Sequence, residues 1–377
     1  MRDKITIAVF AIIIFGFGIA FFVTSDNHRS QTERRLLAAM PDANSQTIIS
    51  GRFMTDFETY MQDQFPLREA FRTINAILRH YLLWQSDYGG YFFAEGHLSQ
   101  MEFPLNASAV HENAAWLAGM ANALFEGMSV YYAIIPDKNY FLAAANGFLH
   151  LDYEEFMRIV HARLGQFGFI DLFDVLALED FYRTDIHWRQ ESLRYTAQRL
   201  SDGMDVTLPS WDDHTWHTLT GFRGNFHGAA ALPVQTDDLV FLTNRYTDNA
   251  IVHTLIEQDR QFVFTSSVIF EGEELPLAVY NPALFTGVDG YDVFLAGAQA
   301  FMTIYVPNAT TDRELIIFRD SFGSSIAPLL LGAYSKITLV DIRYISSHLL
   351  PNFIDFTNQD ILFLFSVPIL NRGGLLR

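Results

Sequence analysis

Two short segments carry residue types that together make an activated nucleophile: Thr184-Asp185-Ile186-His187-Trp188 and Arg319-Asp320-Ser321-Phe322-Gly323. The second follows the apolar run Leu315-Ile316-Ile317-Phe318 and precedes Ser324-Ser325-Ile326-Ala327-Pro328, so Ser321 leaves a buried strand at the mouth of a helix. α/β hydrolase-type folds present a nucleophile at such a junction. In an extended backbone, positions i and i+2 point the same way, which sets Asp185 beside His187. The carboxylate would then fix the imidazole tautomer, leaving the far nitrogen to take the Ser321 proton. Chain order is no obstacle, because triads are defined by geometry. The chemistry implied is serine acyl transfer. Taken singly, Asp320 or Ser321 would be read as a helix N-cap and His187 as a structural histidine; the pairing carries the functional reading.

Other residues offer less. Trp188 is read as packing against the imidazole or as a substrate contact. Gly221-Phe222-Arg223-Gly224-Asn225 is turn chemistry, with Asn225 a candidate oxyanion donor. Arg343 and Tyr344 follow a strand on the edge where open α/β sheets bind ligands. Arg343 could pair with Asp320 or meet a sugar or carboxylate, and a plain salt bridge is the simpler reading. His214 and His217, with Asp212 and Asp213 beside them, could ligate a metal and serve a metal hydrolase, but they lack helical i,i+4 spacing and read as a loop. The expectation is no metal site, and no cofactor is expected either.

These residues need elements to hold them. Helix-like and strand-like segments alternate from about residue 110: helix Val110–Phe125, strand Val130–Ile135, helix Tyr153–Leu164, strand Phe169–Leu172 and helix Gln190–Leu200. The rhythm resumes with strand Leu315–Phe318, helix Ser324–Leu331, strand Lys336–Val340, helix Ser347–Phe356 and strand Asp360–Phe365. Such alternation predicts a layered parallel α/β sheet flanked by helices. Residues 205–311 break it and read as a largely β insertion. Gly51–Trp84 reads as helical with a break at Pro66, Tyr91–Phe93 and Gly96–Leu98 as a small hairpin, and Thr32–Ala39 as having helical potential. The expected organisation is 1–25 tip and anchor, 26–95 stalk and helical region, and 96–377 α/β domain.

The chain has 377 residues, half of them hydrophobic, enough for a large core. Ile5–Val23 is apolar and uncharged, and as a helix it would span about 28 Å, the thickness of a bilayer's hydrocarbon. Arg2 and Lys4 before it favour a cytoplasmic N-terminus, placing the rest outside as a single-pass membrane protein. There is no cysteine, which excludes disulfides and thiolate chemistry. A net charge of −18 argues against nucleic acid as a partner.

The segment Tyr182-Arg183-Thr184-Asp185-Ile186-His187-Trp188, the Asp320-Ser321 strand end, Val340-Asp341-Ile342-Arg343-Tyr344 and Asp360–Leu364 together resemble the DHHW family of Gram-positive bacteria. The resemblance extends to the anchor, to Gly51-Arg52-Phe53 through Arg68, and to Gly287–Gly297. That family is related to the SGNH-hydrolase-like domains of the alginate O-acetylation proteins AlgX and AlgJ. The resemblance implies an SGNH-like fold with Ser321 as nucleophile, His187 as base and Asp185 as its orienting acid. It further implies an O-acetyltransferase or acetylesterase acting on a cell-surface polysaccharide, with a membrane-bound O-acyltransferase as acetyl donor. Two positions depart from the pattern: Ile186 replaces the family's first histidine, and Arg319 replaces the glycine expected before Asp-Ser. The rival expectation is an idle scaffold that binds glycan or recruits the acyltransferase.

Overall fold

A computed structural model describes residues 2–30, 32–374 and 376. The chain divides into two compact units, one of Met1–Gly89 with His227–Val234, the other of Gly90–Phe226 with Gln235–Arg377. Hairpin β3–β4 (Tyr91–Ala94, His97–Gln100) therefore lies whole in the second unit.

In the first unit, α1 (Arg2–Val23) is long and apolar enough to cross a membrane, and none of its residues is buried. A two-residue ladder, β1 (Arg29–Ser30) with β2 (Arg35–Leu36), follows it. The helical tendency expected over Thr32–Ala39 is overridden there. Arg34 turns the chain at φ 54°, and Arg35 forks onto Asp63 at 2.8 and 2.5 Å. Ala38 N–H also donates to Asp63, so tertiary bonds outweigh local propensity. The Arg35 hydrogen bonds hold the Asp63 carboxyl down at about 2. Three helices complete this part: α2 (Ser45–Ile49), α3 (Arg52–Asp63) and α4 (Arg68–Ile77), the last continued by one π-helical turn to Leu82. Pro66 and Leu67, at φ 60°, make the corner between α3 and α4.

The second unit is built on an eight-stranded sheet in the order β10-β9-β13-β15-β14-β16-β5-β6. Its parallel part is β15 (Lys336–Val340), β14 (Glu314–Arg319), β16 (Asp360–Ser366), β5 (Val130–Ile135) and β6 (Gly168–Phe169). Strands buried on both faces need apolar residues at every position, hence the unbroken runs in β14 and β16. Leu315 and Ile317 enter one layer of core, and Ile316 and Phe318 the other. α5 (Ala107–Leu124) and α7 (Tyr153–Leu164) cover the second face, and α8 (Arg194–Gly203) covers the first.

The β-rich stretch contributes in two ways. β9 (Ile251–Gln258), β10 (Gln261–Thr265) and β13 (Phe301–Tyr305) extend the same sheet with antiparallel strands. β7 (Thr215–Phe222) with β8 (Asp237–Thr243), and β11 (Ser267–Phe270) with β12 (Glu273–Pro276), form separate hairpins.

Several expected helices are shorter. Gln190–Leu200 starts as a 3-10 turn (Gln190–Ser192) before α8. A six-residue helix, α9, spans Asn225–Ala230. The helix after Ser321 is α10 (Gly323–Ile326) followed by a 3-10 turn over Ala327–Leu330, and Ser347–Asn352 is 3-10 throughout. Pro328 and Pro351 sit in these segments, and neither can donate the backbone bond a longer α-helix needs. α6 (Lys138–Asn146), unexpected because Pro136-Asp137 reads as a strand stop, and α11 (Val367–Asn371) complete the set.

Candidate active site

Ser321 stands two residues beyond Arg319, the end of β14, and is partly exposed. Asp320 anchors the turn: its carboxylate accepts from Phe322 N–H (3.0 Å) and from Ser366 N–H (2.8 Å) and Oγ–H (2.6 Å), tying the ends of β14 and β16 together. Gly323 lets the chain fold back onto the strand, since a Cβ there would lie 2.7 Å from the Arg319 Cβ. Arg319 is fully buried. Its NH1 donates to Asp320 O at 3.2 Å, and burial pushes its guanidinium below the ordinary value.

The histidine arrives by a different route. Residues 183–187 are a run of bends inside a loop closed by the Phe181–Trp188 bridge, not the extended strand expected. The curl is imposed from outside the segment. Asp237, opening β8, accepts from Arg183 N–H (2.9 Å), Thr184 N–H (2.9 Å) and Thr184 Oγ–H (2.6 Å). Gly224 N–H donates to Thr184 Oγ1 and Asn225 N–H to Asp185 Oδ2, at 3.0 and 2.7 Å. Only a glycine permits this approach, because a Cβ on residue 224 would lie 2.3 Å from the Asp185 Cβ. Asp185 and His187 therefore meet through a tight turn, with His187 N–H donating to Asp185 Oδ1.

The outcome is a continuous line. Asp185 Oδ1 lies 2.5 Å from His187 Nδ1, and His187 Nε2 lies 2.7 Å from Ser321 Oγ. With Asp185 ionised, Nδ1 carries the hydrogen and Nε2 accepts from the serine hydroxyl, a tautomer assigned from this network. The line runs from a fully buried carboxylate to a hydroxyl at the surface.

The imidazole is sandwiched. Tyr291 stacks on it with ring centroids 3.8 Å apart and planes at 6°, and Phe322 meets it edge-on at 4.9 Å. Burial pushes the Tyr291 phenol well above its ordinary value, keeping it neutral, and it donates to Ser325 Oγ at 2.7 Å. Trp188 Nε1–H donates to the same oxygen at 2.8 Å. Trp188 is fully enclosed, so the expected substrate contact is instead a brace between the histidine loop and the helix after Ser321.

Behind Asp185 lies Lys138, also buried. Its Nζ donates to Tyr182 O at 2.9 Å and sits 4.7 Å over the Phe226 ring. Burial draws its pKa down to about 7, against the pull of Asp185, Asp237 and Asp137.

The remaining candidates are dispersed. Asn225 serves the acid end of the line: its Oδ1 accepts from Ile186 N–H at 3.2 Å and its N–H holds Asp185, so it does not meet Ser321. Arg343 forks onto Asp341 at 2.8 and 2.6 Å, not onto Asp320, and Tyr344 beside it is exposed. His217 Nε2 bonds Thr243 Oγ1, while His214 Nε2 bonds the Asn244 amide. Among the described residues no group of three or more His, Asp or Glu is spaced to hold a metal ion. Residues that sequence reasoning missed are Tyr291, Asp237, Gly224 and Ser325. Tyr291 falls in the Gly287–Gly297 run already singled out by resemblance, whereas Asp237 carries no local signal.

No protein-family model matches the sequence, and no curated protein matches it. Solved structures do. A DHHW family protein from Eubacterium siraeum superposes with a TM-score of 0.57 at 17% identity, covering 76% of this chain and 92% of that one. Bacillus cereus PatB1 gives 0.56 at 14%, over 76% and 98% of the two chains, and its sulfonyl adduct gives 0.54 at 14%, over 76% and 97%. The O-acetyltransferase domain of Pseudomonas putida AlgJ matches at 0.44 and 13%, over 76% and 94%. The chain thus shares the layered α/β fold of the DHHW family protein and of PatB1.

Proposed function

We propose that this chain is a membrane-anchored acyl-transfer enzyme whose nucleophile is Ser321, with His187 as general base and Asp185 as the group that orients it. The observation carrying this reading is the hydrogen-bonded line from Asp185 Oδ1 through His187 to Ser321 Oγ. Ser321 Oγ attacks an acyl carbonyl as its proton passes to His187 Nε2, and Asp185 stabilises the imidazolium that forms. The Ser321 backbone N–H is assigned to the oxyanion. Collapse expels the donor's leaving group, which takes the proton back from Nε2. A hydroxyl then attacks the acyl-serine, losing its proton to the same nitrogen and releasing Ser321.

The resemblance to the DHHW proteins and their alginate O-acetylation relatives supplies the group and the acceptor: acetyl, passed to or from a hydroxyl of a cell-surface polysaccharide. A membrane-bound O-acyltransferase is the proposed donor, and the domain around Ser321 is proposed to lie outside the cytoplasm, held by α1. PatB1, of the same fold, has been captured with a sulfonyl adduct, so a sulfonyl fluoride is a fitting probe.

The test is intact-mass labelling of the full chain beside Ser321→Ala and His187→Ala. One adduct mapping to Ser321, absent in the first variant and strongly slowed in the second, is expected. A folded chain that takes no adduct, or takes it elsewhere, would move the idle glycan-binding scaffold to the front.

A further inference from the structure

We propose that the α3–α4 corner and the outer face of α4 are seated in the lipid interface beside α1, as a second, in-plane membrane contact. This rests on the reading that α1 enters a bilayer. From Leu67, just before α4, the residues Phe71, Ile74, Leu78 and Tyr81 follow at alternating four- and three-residue steps, and Leu82 lies next to Tyr81, making one stripe along α4 and its π-helical extension. All six are exposed, Leu67 at 70% and Leu82 at 66%. The other side of the helix carries charge: Arg68 bonds Glu33 and Glu69, and Arg72 bonds Glu69 and the Gly228 carbonyl. An amphipathic helix whose apolar stripe stays largely exposed, touched only at Phe71 by the rings of Phe17 and Phe65, and whose other side carries paired charges, has the two-sided composition of one that lies in a membrane surface.

Depth supplies the second argument. The Phe17 ring stacks on Phe65 at 5.3 Å and meets Phe71 edge-on at 5.5 Å. Phe17 precedes the end of α1 at Val23 by six residues, which is about 9 Å of helix. If α1 spans the bilayer, the α3–α4 corner lies that far below its outer end. This is the depth at which interfacial helices bury their apolar face, about 5–10 Å into the headgroup–acyl boundary. Polar contacts mark the water side: Phe21 packs on Tyr60, whose hydroxyl donates to Asp26 at 2.9 Å, just past α1. The corner cannot be lifted into water without parting these rings. The occupant of the stripe is therefore lipid.

The absence of cysteine makes site-specific labelling clean. Full chains bearing Ile12→Cys, Glu69→Cys, Phe71→Cys, Ile74→Cys or Leu78→Cys, each carrying an environment-sensitive fluorophore, are placed in vesicles of phosphatidylcholine and phosphatidylglycerol. Quenchers are bromines deep or shallow on the acyl chains, and iodide in the water. The Ile12 label, quenched by deep bromines, establishes the anchor. The labels at 71, 74 and 78 are then expected to lose several-fold more emission to shallow bromines than the Glu69 label, and to resist iodide. If Ile12 is quenched but those three yield to iodide, the stripe faces water; if they yield to neither, protein covers it, a second copy or another membrane protein. Either result overturns the inference while leaving the anchor intact. An Ile12 label untouched by bromine overturns both.

Discussion

Ser321 and His187 lie 2.7 Å apart yet are held by unlike means. The serine rides on the most regular part of the molecule, the end of a central parallel strand clamped to its neighbour by Asp320. The histidine sits in a loop without regular structure, shaped by Asp237, Gly224 and Asn225 and capped by the Tyr291 ring. Sheet geometry places one partner, and individual side chains place the other. The serine half should therefore tolerate change around it, while the histidine half should fail through residues that never touch substrate.

Changing the acid tests this first. Asp185→Asn should lower the rate of Ser321 acylation by about 10⁴-fold with the fold retained, because the wrong tautomer is then favoured. Circular dichroism with stopped-flow acylation separates the two effects. Next comes Gly224→Ala, whose methyl overlaps the Asp185 Cβ and the Thr184 carbonyl. Displacing the loop by about 1 Å should cost roughly 100-fold in acylation rate. Wild-type speed in that variant would break the contrast between the two halves.

Tyr291 gives a finer division. Tyr291→Leu removes the ring over His187, worth about 0.5–1.5 kcal/mol, and should slow acylation up to about tenfold. Tyr291→Phe keeps the stack and loses one hydrogen bond to Ser325, about 1 kcal/mol of stability, with little change in rate. Equal slowing by both would mean that the hydroxyl, not the ring, matters.

The smallest effect concerns Lys138. Its folded pKa of about 7 lies below the ordinary 10.5. Between those values the unfolded chain holds a proton the folded one lacks, so this group makes folding more favourable as pH rises through that window. Lys138→Met should flatten that part of the stability–pH curve in urea titrations; an unchanged slope would assign the dependence elsewhere.

The same contrast explains what could be read in advance. A parallel strand buried on both faces writes itself as an unbroken apolar run, so Leu315–Phe318 announced β14 and the residue leaving it. β5, α7 and β15 kept their expected limits for similar reasons, since each is a short period bounded by polar or turn residues. Asp185 and His187 were identified by type and spacing, but through an extended backbone that is not there. The turn that joins them depends on Asp237 and Gly224, and long-range hydrogen bonds leave no local period. Trp188 was legible as a large residue beside the histidine, though not as one whose indole is spent on Ser325. The stripe on α4 was visible as helical spacing, and its exposure was not.

The most direct measurement is acid-quenched peptide mapping after brief exposure of the full chain to an activated acetyl ester. A single acetyl on the peptide holding Ser321, appearing in a burst and absent in Asp185→Asn at the same time point, is the predicted result. Acetyl on another side chain, or ester turnover undiminished in Ser321→Ala, would contradict the account.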